Sequence, residues 1–145
     1  MIESDTIKLL RECNAGIKMG VTSLEEGLSA AQGEGLRRVL EESMKAHKKL
    51  ENRTRQALNR FHDSGKELNP MLRGMGWLKT NVKLATSPGD HTVADLMTDG
   101  CNMGVKYLSK YLNQYAAADE DSKDIAKTLI HLEENLAVEM RGYLA

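Results

Sequence analysis

An all-α fold, a duplicated-hairpin four-helix bundle with an amphipathic crossover helix between its second and third helices, follows from three features of the sequence. Only two prolines, Pro70 and Pro88, interrupt 145 residues. Long proline-free stretches rich in Leu, Ala, Lys, Glu and Met favour helix. Apolar residues recur at three- and four-residue steps, the spacing of one helical face, and no alternating segment suggests a strand. A short motif near the start of the chain also reappears near residue 100.

In the first segment Leu10, Cys13, Ile17, Val21, Leu24 and Leu28 form the stripe. Ser4 or Asp5 is expected to cap it, and Gln32-Gly33-Glu34-Gly35 to break it. The second stripe runs Leu36, Leu40, Met44, His47, Leu50, Leu58 and Phe61, with Asp63-Ser64-Gly65 as its stop. A third helix is expected from Thr92, with Thr92 and Asp95 as a capping box. Its face is Val93, Met97, Cys101, Gly104, Leu108, Leu112 and Tyr115. The fourth begins near Asp119 to Ser122 and carries Ile125, Leu129, Leu132, Leu136, Met140 and Tyr143.

The link between the second and third helices is long for a compact domain. Asn69 and Pro70 suit a helix start, and Met71, Met75, Leu78 and Val82 make a further stripe that Ser87-Pro88-Gly89-Asp90 ends. About sixteen helical residues at 1.5 Å each span roughly 24 Å, enough to run along a bundle. The expected organisation is therefore one domain over residues 1–145: hairpin 3–62, crossover 63–91, hairpin 92–145, in up-down-down-up order, the connectivity of ferritin-like bundles.

Charge is nearly balanced, 20 Lys+Arg against 21 Asp+Glu, which argues against a nucleic-acid partner. No apolar run is long enough to span a bilayer. The acidic start, Met1-Ile2-Glu3-Ser4-Asp5, does not read as a secretory signal. Cys13 and Cys101, the only two cysteines, read as reduced thiols of a cytoplasmic protein.

The repeat is Cys13-Asn14-Ala15-Gly16-Ile17-Lys18 against Cys101-Asn102-Met103-Gly104-Val105-Lys106. Each copy lies in the first helix of a hairpin, which reads as duplication. Structurally, the cysteines are small buried hydrophobes, Gly16, Gly20 and Gly104 let a neighbouring helix approach, and Asn14 and Asn102 bond across helices. A functional reading makes Cys, Asn and Lys a paired site; buried cysteine is more often inert. Two hairpins, a long crossover and a Cys-x-x-Gly signature in each half resemble the ferritin-like superfamily, in particular its small bacterial four-helix-bundle families of unknown function. The resemblance implies a ferritin-like fold; it does not by itself imply iron chemistry.

Ferritin-like carboxylate sites take a Glu from each of two helices and Glu-x-x-His from each of the other two. Here Met44 stands three residues before His47, and Thr128 three before His131, so both motifs fail. Lys18 and Lys106 occupy the levels where the first- and third-helix Glu would stand, and a charged ammonium cannot ligate. Turned inward they would pair with Glu51 or Glu134; one position off the stripe, they are expected to keep their heads in water. His47, on the stripe, is expected to be a hydrogen-bonded core residue, and His131 to be partly exposed. No metal and no cofactor are expected; His47, Glu51, His131 and Glu134 are the fallback metal candidates.

The leading expectation is a non-catalytic bundle acting by self-association or contact with a protein partner, with no catalytic residue. A degenerate metal or redox protein is one alternative. Another is attachment to a membrane surface through the crossover, whose Met71, Met75, Trp77, Leu78 and Val82 lie beside Arg73, Lys79 and Lys83. That face is read first as a cover for the bundle's own core, and otherwise as an interaction surface.

Overall fold

The apolar stripes wind into four α-helices: α1 (Ile2–Ala30), α2 (Glu34–Asn59), α3 (Asp90–Gln114) and α4 (Glu120–Met140), followed by a 3-10 turn at Arg141–Tyr143. The computed structural model describes residues 2–63, 65 and 86–145, and no strand occurs among them. The expected crossover helix, with Met71, Met75, Trp77, Leu78 and Val82, lies outside the described residues. Among the described residues no helix is long and apolar enough to cross a membrane.

Three helix starts depart from the sequence reading. α1 begins at Ile2, so Ser4 and Asp5 sit in its first turn instead of capping it. Asp5 accepts the Ala117 N–H at 3.1 Å. α3 begins at Asp90, after Gly89 at φ 139°, a conformation that favours glycine. Thr92 therefore lies inside the helix, and its hydroxyl donates to the Ser87 carbonyl at 2.6 Å. α1 ends at Ala30, as the expected break requires, but α2 begins at Glu34, so Glu34 and Gly35 form its first turn instead of belonging to that break. The α4 start agrees with expectation: Asp119 accepts the Ser122 N–H at 2.8 Å, satisfying one of the first-turn donors.

Hydrogen bonds between distant segments fix which ends meet. The Asp90 carboxylate accepts the N–H groups of Gln32 (2.7 Å) and Gly33 (2.9 Å), seating the α1–α2 loop beside the start of α3. At the other end the Thr6 hydroxyl accepts the Asp119 N–H at 2.8 Å, joining the start of α1 to the α3–α4 loop. Arg11 donates to Asp63 there, its Nε at 3.0 Å, and so ties α1 to the end of α2.

The core consists of two apolar clusters. One gathers Leu24, Leu36, Leu40, Met44, Val93, Met97, Cys101, Leu136 and Met140. The other gathers Leu9, Cys13, Ile17, Leu50, Leu58, Leu108, Ile125 and Leu129. Fully burying each such leucine or isoleucine is worth about 1.5–3 kcal/mol, so both clusters contribute substantially. Every helix passes from one cluster to the other: Ile17 to Leu24 in α1, Met44 to Leu50 in α2, Cys101 to Leu108 in α3, Leu129 to Leu136 in α4. The residues at the crossing are Gly20, His47, Gly104 and Glu133, two without side chains and two polar.

Candidate functional site

His47 is wholly buried, at 0 % exposure, between Met44 and Leu50 on the inner face of α2. Its Nδ1 donates to the Ser43 carbonyl at 2.8 Å, one turn back in its own helix. Its Nε2 lies 2.8 Å from Oε1 of Glu133 on α4. Both ring nitrogens thus face oxygen acceptors, the arrangement that suits an imidazolium. Burial pushes the His47 pKa down, but the Glu133 hydrogen bond and charge, with the Ser43 carbonyl, outweigh it, and the net shift is upward. Glu133 is 9 % exposed, and its carboxylate also takes the Cys101 thiol from α3 as a hydrogen-bond partner.

Two glycines make room for this pair. A Cβ on Gly20 of α1 would stand 3.0 Å from both Cδ2 and Nε2 of His47. One on Gly104 of α3 would lie 3.5 Å from Cγ of Glu133. All four helices therefore build one polar layer at mid-height: a bare backbone from α1, the imidazole from α2, a thiol and a bare backbone from α3, and the carboxylate from α4. A buried polar pair is tolerated when its hydrogen bonds are made, and here they are.

The thiols are poorly suited to nucleophilic work. Burial, and then the Glu12 charge, pushes Cys13 up to about 12. Burial, and then the charge and hydrogen bond of Glu133, drives Cys101 further in the same direction. The thiolate is the reactive form, so both side chains are held in the unreactive one.

The other sequence-derived candidates are dispersed. Lys18 and Lys106 are exposed on their helices, which leaves the central layer to the histidine and glutamate. Glu51 faces Arg55 at 3.4 Å along α2. His131 and Glu134 are both exposed, so neither joins His47; the neighbouring Glu133 does. Within the repeat, Cys13 and Cys101 are buried alike, while Asn14 is buried and Asn102 exposed. Gly16 packs against Leu129, its added Cβ falling 3.5 Å from that side chain. Asn14 was expected to bond across helices, yet among the described residues its buried Oδ1 lacks a hydrogen-bond partner, as do both carboxylate oxygens of Glu26, a residue the sequence did not single out. Among the described residues no group of three or more His, Cys, Asp or Glu is arranged to hold a metal ion.

Two depressions are notable among the described residues. One, of about 250 Å³, is lined by Lys8, Arg11, Glu12, Gly65 and Tyr115. The other, of about 230 Å³, follows the α2–α4 seam at Val39, Glu42, Ser43, Leu132, Asn135, Leu136 and Glu139. Met103 and Tyr107, one turn apart on α3, are exposed, and the Lys110 ammonium lies 5.6 Å above the Tyr107 ring. Comparison with known proteins finds no counterpart: no family model, curated protein or solved structure matches this chain.

Proposed function

We propose that the chain is a non-catalytic helical bundle of ferritin-like connectivity that acts by self-association or protein–protein contact. The observation that carries this reading is the sealed central layer: the imidazole is wholly buried, and its nitrogens are committed to Ser43 and Glu133. A substrate would have to displace Gly20 or Glu133 to reach it. Surface chemistry is what remains, and exposed Met103 and Tyr107 offer apolar area on α3 for a second copy or a partner. Sedimentation velocity over a concentration series, with crosslinking, tests the reading. A concentration-dependent oligomer, broken by Y107E on a folded chain, is expected; a strict monomer that captures no partner would overturn it.

Descent from a copied hairpin is part of the same proposal. The cysteines and lysines of the two motifs share burial and exposure, respectively. The cluster order along the helices and the ties at Asp90 and Asp119 support opposite senses for α1 and α3, the up-down-down-up order. His47 and Glu133 sit 86 positions apart, close to the 88 that separates Cys13 from Cys101, so they read as equivalent positions meeting near a two-fold axis.

A second reading, a degenerate metal or redox protein, rests on the meeting of His47 and Glu133 from two hairpins at mid-height. Metal analysis before and after loading with iron, manganese and zinc decides it: no bound ion removes this reading.

A further inference from the structure

The α2–α4 seam is fastened unevenly. Near the end of α2, Arg53 reaches Asp121 (2.8 Å) and Asp124 (3.0 Å), and Arg60 reaches Asp121 (3.1 Å). Arginine stays charged at any ordinary pH, so these pairs hold through neutral and alkaline conditions. Toward the start of α2 the seam carries Glu42 and Glu139 along a depression about 230 Å³ in volume, with no cation among its lining residues. Between the two stretches stands His47, bonded to Glu133 at 2.8 Å. Among the described residues, the imidazolium reaches that acidic half of the seam from its buried side, against Ser43 and Glu133.

We propose that the His47–Glu133 bond is a proton-dependent latch: it tightens the half of the α2–α4 seam nearer the α1–α2 loop while the ring carries two protons, and loosens it when one is lost. The ring can lose either proton: Nδ1 lies 2.8 Å from the Ser43 carbonyl and 3.4 Å from the Ser43 hydroxyl, which can donate to it in turn, and Nε2 faces Glu133. Loss from Nε2 sets a lone pair against a carboxylate oxygen 2.8 Å away; loss from Nδ1 keeps the Nε2–H bond but removes the charge that strengthens it, so either way the attraction between α2 and α4 falls. The groups facing the ring are Glu133 from α4, the Cys101 thiol acting through Glu133 from α3, uncharged Ser43 within α2, and Gly20 from α1, which brings no charge. Glu42 and Glu139 lie beyond the bond on the same seam, where the depression they line holds no cation. Gly20, close against the ring, leaves it little room to turn to another partner.

The sign of the effect follows from linkage. His47 is held above the ordinary histidine value of about 6.5, so the closed seam keeps a proton that the open seam gives up. Stabilisation is full below that value and is lost as pH rises through the shifted one. In between, local opening rises by up to about tenfold per pH unit.

Hydrogen exchange of the whole protein across pH 6 to 9, corrected for the intrinsic base-catalysed rate, is the test. Residues 36–46 and 133–140 are expected to lose protection with rising pH, while 50–58 and 121–128, pinned by Arg53, change little. Nitrogen NMR of the unmodified protein, which needs no variant to fold, is expected to find both His47 nitrogens protonated at neutral pH, with the ring titrating above the ordinary histidine value. E133Q, if it folds, is expected to flatten the exchange profile. An Nε2 without its proton at neutral pH, or protection lost equally along the seam, would overturn the proposal.

Discussion

Gly20 stands where the His47 ring needs space, and Gly104 where the Glu133 chain does, but the two clearances differ. An alanine Cβ at Gly20 falls 3.0 Å from two ring atoms fixed by hydrogen bonds at both ends, whereas at Gly104 its nearest neighbour is at 3.5 Å. G20A is therefore expected to destabilise by about 1–3 kcal/mol through overpacking. G104A gains helix propensity and is expected to be neutral or stabilising by up to about 1 kcal/mol. Urea unfolding of the two variants separates these outcomes. The pair itself is tested by H47L, which leaves a buried carboxylate facing only a thiol; a loss of about 3–5 kcal/mol is expected. The double H47L/E133M change removes both charges and is expected to recover most of that loss; single changes H47L and E133M whose losses simply add in the double variant would show the two side chains to be uncoupled. Half of this pair was legible in the sequence. His47 falls on an apolar stripe and announces itself as a buried polar residue. Glu133 also lies on the inner face, four residues after Leu129 and three before Leu136, but Leu132 completes an apolar pattern without it. A carboxylate adds nothing to a hydrophobic count, so spacing pointed to Glu51 and Glu134, as partners of Lys18 and Lys106 or as fallback metal ligands, and not to Glu133.

Helix interiors could be read from periodicity because burial depends on which residues share a face. Helix ends depend on partners that sequence spacing does not reveal. Asp5 and Thr92 looked like local caps, yet Asp5 bonds Ala117 and Thr92 bonds Ser87, while Asp90 serves a loop 58 residues away. The α2 terminus is closed by His62, whose N–H reaches the Asn59 carbonyl at 3.0 Å, and by the Asp63 N–H on Leu58 at 3.1 Å. His62 takes the left-handed conformation at φ 55°, a position usually given to glycine. H62G is expected to raise stability by about 0.5–1 kcal/mol, as the relief of left-handed strain exceeds the entropy that glycine brings to the unfolded chain. Thermal unfolding reads this directly. Ion pairs between elements set the acid limit. The hydrogen bond from Arg11, then the Gly65 N–H, hold Asp63 below the usual carboxylate range, and Arg53 chiefly does the same for Asp121. A depressed carboxylate stabilises above the ordinary value of about 3.9 and loses that contribution as pH falls through the shifted one. The D63N/D121N variant is expected to lose less of its thermal midpoint than the parent between pH 5 and pH 2.

For the whole molecule, the sequence conveyed an all-helical bundle because four amphipathic segments have few other ways to bury their stripes. It did not convey the polar layer between two apolar clusters, which exists only once four separate helices are brought to the same height. The ties at the two ends carry a temporal consequence. Helix pairing within each hairpin joins residues near one another in the chain and forms quickly. The bonds of Asp90 to Gln32 and of Asp119 to Thr6 span 58 and 113 residues, and neither forms until the hairpins have docked. Such late fastenings govern the rate of coming apart far more than the rate of assembly. Asp90 and Thr6 thus act as clasps on the lifetime of the native molecule, leaving the speed of its folding to the leucines between them.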